Sequence, residues 1–158
     1  MTPLAESGVA LAVRRRSGKP ICYDSGVQDT ARTLEEKLAG LGARHPDLRL
    51  LLLFGSRARG DAREQSDWDF GYVAERGLDA DALLLDVVNT LGTDRIDLVD
   101  LARAGAQIRF RAARDGRVLP EARPGVFTRF WIEAVEFWCD VEPLLRTGYA
   151  EALARLRP

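Results

Sequence analysis

At 158 residues the chain is about one domain long. A composition 46% apolar and 30% charged is that of a globular protein and excludes collagen-like, disulfide-scaffold and extensively disordered classes. The formal charge of -1 leaves no global field to draw the chain to nucleic acid or membrane, so no direct nucleic-acid partner is expected.

Residues 1–28 show weak periodicity and read as an N-terminal extension, with a short extended piece at Ile21–Tyr23. Residues 29–158 read as the main domain. From Asp29 to Ala43 the apolar residues Ala31, Leu34, Leu38 and Leu41 recur at helical steps, which predicts an amphipathic helix capped by Asp29 or Thr30. Leu48 to Phe54 is a near-continuous apolar run ending at Gly55, the pattern of a buried strand. A polar stretch, Ser56 to Ser66, leads into Asp67–Val73, whose strict alternation predicts a half-buried strand. Asp79–Leu91 is a predicted helix stopped by Gly92, and Arg95–Leu101 a third strand. A helix over Ala104–Arg114, a turn at Asp115-Gly116 and a short strand at Arg117–Pro120 follow. Val126 to about Glu142 and Leu144–Leu156 read as two helices broken at Pro143. The order predicts an α/β (α+β) domain: a small mixed sheet flanked by helices, with C-terminal helices.

Chemistry has few places to reside. The longest apolar run is strand-sized, so no bilayer span is expected, and Val9–Val13 lacks the flanks of a signal peptide. Cys22 and Cys139 lie far apart and read as inert thiols, which suits a reducing, cytoplasmic setting. The only histidine, His45, sits beside Pro46 and reads as a surface residue. Any catalysis must therefore be carried by carboxylates.

Gly55-Ser56 is followed, after ten residues, by Asp67-Trp68-Asp69. Gly55, at the end of a buried strand, lets backbone approach a ligand closely. Ser56 supplies a hydroxyl and, if a helix starts there, an N-terminus that favours phosphate. Arg57 and Arg59 flank the turn as phosphate contacts or as solvated charges. Ser66 either caps the aspartate turn or joins the nucleotide cradle. Asp67 and Asp69, at i and i+2, share one strand face; two carboxylates so placed repel unless a cation lies between them. Hard Mg²⁺ takes carboxylate and phosphate oxygens, and a pair of such ions clamps an in-line phosphoryl displacement. The third strand offers a further carboxylate. Asp97 falls on the parity of Asp67 and Asp69, on the face opposite Trp68, Phe70, Ile96 and Leu98, whereas Asp100 falls on the Ile96/Leu98 parity.

The run Leu53-Phe54-Gly55-Ser56-Arg57-Ala58-Arg59-Gly60, then Ser66-Asp67-Trp68-Asp69 and Ile96-Asp97-Leu98-Val99-Asp100-Leu101, resembles the DNA polymerase beta-like nucleotidyltransferase superfamily. It is most similar to the small prokaryotic branch, the minimal nucleotidyltransferases, over roughly Thr30 to Leu119. That resemblance implies a four- or five-stranded mixed sheet, Mg²⁺-dependent use of ATP, and transfer of AMP to an acceptor. Members of the branch are often antitoxins paired with a HEPN-domain ribonuclease toxin, which they silence by adding AMP to a tyrosine. On this reading Asp67, Asp69 and Asp97 bind metal, and Asp97 completes the site and helps orient or deprotonate the acceptor hydroxyl. Gly55, Ser56, Arg57, Arg59 and Ser66 lie on the nucleotide side. Two alternatives stand beside it: nucleotidyl transfer to a small molecule or RNA, and an inactive module that blocks its partner by contact. In the predicted helix from Val126 to about Glu142, Phe127, Phe130, Trp131, Ala134, Phe137, Trp138 and Val141 form an aromatic stripe that packs on the sheet or leaves Phe127, Trp131 and Trp138 for a partner.

Overall fold

Leucine at almost every position from 48 to 53 makes both faces of one strand apolar, and the fold is built around that strand. The structure, a computed structural model, describes residues 33–155. β1 (Leu48–Phe54) is central, with Leu51 and Leu53 buried on one face and Leu50 and Leu52 on the other. β2 (Trp68–Ala74) pairs with β1 antiparallel, β3 (Ile96–Asp100) pairs with β2 parallel, and β4 (Arg117–Glu121) pairs with β1 antiparallel. Among the described residues the mixed sheet has four strands in the order β3-β2-β1-β4; a small mixed sheet is what the sequence predicts, while the order comes from the structure.

One face is covered by α1 (residues 33–38), α2 (Leu41–Arg44) and α4 (Ala80–Leu91). Leu34, Leu38, Leu41, Phe70, Leu83 and Val87 pack there on Leu51 and Leu53. The other face carries α5 (Ala106–Asp115) and the start of α6 (Val126–Arg155), which set Ala112, Ala113, Phe130 and Ala134 against Leu50, Leu52 and Leu101. Full burial of each leucine contributes about 2 kcal/mol. Alternation thus sends Trp68, Phe70 and Tyr72 into the first layer and Asp69, Gly71 and Val73 toward the second. Gly71 has no room for a side chain: a Cβ there would lie 2.7 Å from Leu101 Cδ1.

Several expectations are corrected. The helix predicted over Asp29–Ala43 is interrupted by a turn at Ala39–Gly40. Gly40, a poor helix former, lets the chain turn while Leu38 and Leu41 both stay buried. Residues 29–32, the extension 1–28, the piece at Ile21–Tyr23 and Cys22 lie outside the described residues. Pro143 does not break the C-terminal helix: α6 runs unbroken for 30 residues with the proline inside it. A proline costs about 3 kcal/mol through one lost hydrogen bond and a ring–carbonyl clash. Long helical runs on both sides outweigh that local penalty, and Thr147 Oγ1 donates 2.9 Å to Pro143 O.

His45 is buried rather than on the surface, because its Nε2 hydrogen-bonds Asp86 Oδ2 of α4 at 2.9 Å. The aromatic stripe is also distributed differently. Phe127 is half-buried, and Trp138 is half-buried because its ring stacks on Phe110 of α5 at 5.0 Å. The exposed large apolar side chains in this stretch are Trp131, Ile132 and Phe137, which point to different sides of α6 rather than forming one patch.

Candidate nucleotidyl-transfer site

The sheet register brings the acidic residues together. Asp69 of β2 sits directly beside Asp97 of β3, and Asp67 immediately precedes β2. Burial is the largest influence on Asp69, followed by the negative charges of Asp97 and then Asp67; together they hold its carboxyl above the usual aspartate range. Arg111 of α5 and Arg59, in the short turn after β1, act in the opposite sense. Asp97 and Asp67 are exposed, and Arg95 Nε lies 3.4 Å from Asp67 Oδ1. The face that carries Asp69 and Asp97 is not open along its length, as parity alone suggested. α5 and α6 cover its middle, and the carboxylates lie near the starts of β2 and β3. Asp100 pairs across from Tyr72, on the other parity, where its Oδ1 accepts from Ala102 N at 2.9 Å.

Gly55 connects β1 to this cluster. It opens α3 (Gly55–Arg59) with φ +72°, a backbone region that disfavours other residues, and a Cβ there would overlap Asp69 Oδ2. Glycine therefore allows the turn to touch the carboxylate. Ser56 stands second in α3, and Gly60 closes that helix in the left-handed conformation, its N–H returning to Ser56 O. Arg117 of β4 donates from Nε to Ala58 O at 3.0 Å and so fixes the turn to the sheet.

Both turn arginines already have protein partners. Arg57 donates from Nε and Nη2 to Ser66 O at 3.1 and 2.6 Å, and its guanidinium lies 4.2 Å from the centre of the Trp68 ring. Arg59 makes a forked contact to Asp61 at 3.1 and 3.2 Å. Ser66 Oγ accepts from Arg63 N at 2.9 Å, which shapes the loop ahead of Asp67. The sequence reading missed Arg95 and Arg111. Arg95 is visible in the sequence as the first residue of the predicted third strand. Arg111 becomes visible only once α5 is known to pack over the carboxylate face.

Among the described residues, no three His, Cys, Asp or Glu side chains close into a ready-made metal cage. Mg²⁺ does not require one. It keeps several waters and is held by one or two carboxylates together with substrate phosphates. An all-oxygen set, in which burial and then two acidic neighbours disfavour Asp69 as an anion, fits a hard divalent cation.

The sequence pattern of the family described as polymerase beta, nucleotidyltransferase matches residues 36–124, from α1 through β4 and into the segment before α6. The chain belongs to that family. As a polymerase beta nucleotidyltransferase it is similar to the protein adenylyltransferase MntA of Aphanizomenon flos-aquae (strain 2012/KM1/D3). The two are 34% identical over 113 residues, 64% of this chain and 75% of the relative. A crystal structure of a toxin–antitoxin with AMP-PNP superposes with a TM-score of 0.65 at 23% identity, covering 75% of this chain and 98% of the other. Another match is a tri-AMPylated Shewanella oneidensis HEPN toxin in complex with MNT antitoxin. Its TM-score is 0.61 at 21% identity, over 77% of this chain and 98% of the other. At that identity the two structures establish a shared fold. No helix among the described residues is long and apolar enough to cross a membrane.

Proposed function

We propose that this nucleotidyltransferase is an antitoxin that uses Mg²⁺ and ATP to attach AMP to a tyrosine hydroxyl of a HEPN-type toxin. The carrying observation is the register that sets Asp69 beside Asp97 with Asp67 just ahead. The likeness to an adenylyltransferase named MntA and to a HEPN toxin–antitoxin fold supports the choice of substrate and partner.

In the reaction the acceptor oxygen attacks the α-phosphorus of ATP. The bond from that phosphorus to the bridging oxygen of the β-phosphate breaks, and pyrophosphate leaves. Asp67 and Asp69 would hold Mg²⁺, which when bound neutralises phosphate charge and aligns the attacking and leaving oxygens. Asp97, exposed beside Asp69, orients the acceptor hydroxyl and takes its proton. Gly55 and Ser56 present the α3 turn to the triphosphate, with Arg59 and Arg111 adding positive charge near Asp69. Arg57 and Ser66 hold the loop that delivers Asp67.

Intact-mass spectrometry of a HEPN-type toxin co-expressed with this chain tests the proposal. The expected result is a mass gain in whole AMP units that disappears with Asp67→Asn. A toxin that is inhibited yet unchanged in mass would identify a contact-only antitoxin instead.

A further inference from the structure

A polar cavity lies at the opposite end of the sheet from the carboxylates. It opens beside Arg49 near the start of β1, whereas the candidate active site begins at Gly55 after its end; six strand steps separate them by about 20 Å. Its volume is about 550 Å³. Four arginines line it from separate parts of the chain: Arg49 of β1, Arg109 of α5, Arg123 between β4 and α6, and Arg129 in the first turns of α6. Among the described residues, Glu75 and Glu133 are the acidic ones in its wall, so that part of the lining carries two surplus positive charges.

The pairing within this wall is incomplete. Arg49 Nε meets Glu75 at 3.1 Å, and Arg109 Nη2 meets Glu133 at 3.5 Å. Arg109 Nε is buried with no hydrogen-bond partner among the described residues, and its guanidinium lies 6.0 and 5.5 Å from the centres of the Phe130 and Phe137 rings. A buried, unsatisfied donor on a charged group is costly, so Arg109 is a poorly compensated cation in the wall. Arg123 and Arg129 are exposed and form no ion pair among the described residues. Guanidinium forks approaching one space from several directions match the many oxygens of a phosphate chain better than a single carboxylate. A cavity of this size accommodates a small ligand.

We propose that this cavity is an anion site for a free oligophosphate, either pyrophosphate or the polyphosphate of a nucleotide, distinct from the carboxylate site. Such a ligand neutralises Arg123 and Arg129 without a metal ion. The proposal does not depend on which acceptor the enzyme modifies.

Calorimetric titration of the full chain with pyrophosphate, and separately with ATP, tests it in EDTA, which removes divalent ions from the carboxylate site. The expected result is saturable one-to-one binding that weakens at least about tenfold in R123A/R129A and is unchanged in D67N/D69N. Tighter binding of ATP would identify a nucleotide as the ligand; equal or tighter binding of pyrophosphate would identify the free anion. E133Q, which releases Arg109 from its carboxylate, should bind more tightly and controls for misfolding of the double variant. Absence of binding by either probe, equal affinity in R123A/R129A, weaker binding by E133Q, or loss of binding in D67N/D69N would overturn the proposal.

Discussion

The guanidinium of Arg57 lies over the Trp68 ring at 4.2 Å while donating to Ser66 O, so one side chain joins the α3 turn to the segment that carries Asp67 and Asp69. Phosphate contact is the obvious role for an arginine in such a turn, yet these contacts direct it to the protein. Arg57→Ala should therefore lower the turnover of AMP transfer between about 10- and 100-fold, as expected when a reacting group is misplaced by a fraction of an ångström. The KM for ATP should change little. Lysine should rescue poorly, since it can neither stack flat nor make the fork. Steady-state kinetics of the three proteins separate the roles: a large rise in KM at constant turnover would mean that Arg57 holds phosphate.

Gly55 makes a second, independent test. Alanine at this position meets both a left-handed backbone, which costs about 1–2 kcal/mol, and the Asp69 carboxylate. Gly55→Ala should lower the melting temperature and abolish most transfer together. A variant of full stability and activity would contradict the close approach of this turn to Asp69.

Asp69 gives a pH-dependent expectation. Its folded-state pKa is raised, mainly by burial and then by Asp97 and Asp67. Between the unfolded value and the raised one, the folded protein binds more protons, so this group makes stability fall as pH rises through that window; the penalty persists above it. At neutral pH without divalent ions, Asp69→Asn should thus melt at a higher temperature than the parent, and the difference should vanish at acidic pH where both forms are uncharged. Mg²⁺ with an ATP analogue should stabilise the parent and not the variant. Differential scanning calorimetry at two pH values with and without ligand measures both effects.

The choice between Asp97 and Asp100 follows from strand parity. Asp97 stands beside Asp69, whereas Asp100 stands beside Tyr72 and caps Ala102 N. Asp97→Asn should cut AMP transfer by about 100-fold or more, in line with losing a positioned base. Asp100→Asn should leave transfer nearly intact. The opposite pattern in a single-turnover assay would require the register of β3 to slip by one residue.

These residues differ in how far the sequence exposes them. Alternation in Asp67–Val73 and Ile96–Leu101 places Asp69 and Asp97 on one side because a strand has a period of two, and no tertiary information is needed. The burial of His45 depends on Asp86, 41 residues later on α4, which no local pattern indicates. Arg57 looks like any charged loop residue until the loop returns Ser66 to it. Pro143 misleads because a local helix penalty is outweighed by the flanking helix. Trp138 likewise looked available to a partner until α5 brought Phe110 against it.

The most direct test of the central claim uses the purified chain, a HEPN-type toxin partner, Mg²⁺ and ATP labelled at the α-phosphate. The parent should place label on the toxin, releasing one pyrophosphate for each AMP attached. D67N/D69N should still bind the toxin but transfer no label, and should leave its ribonuclease activity unsuppressed at catalytic ratios of antitoxin. Label transfer by D67N/D69N at the parent's rate, or suppression by that variant equal to the parent's without label, would contradict a carboxylate-driven adenylyl transfer.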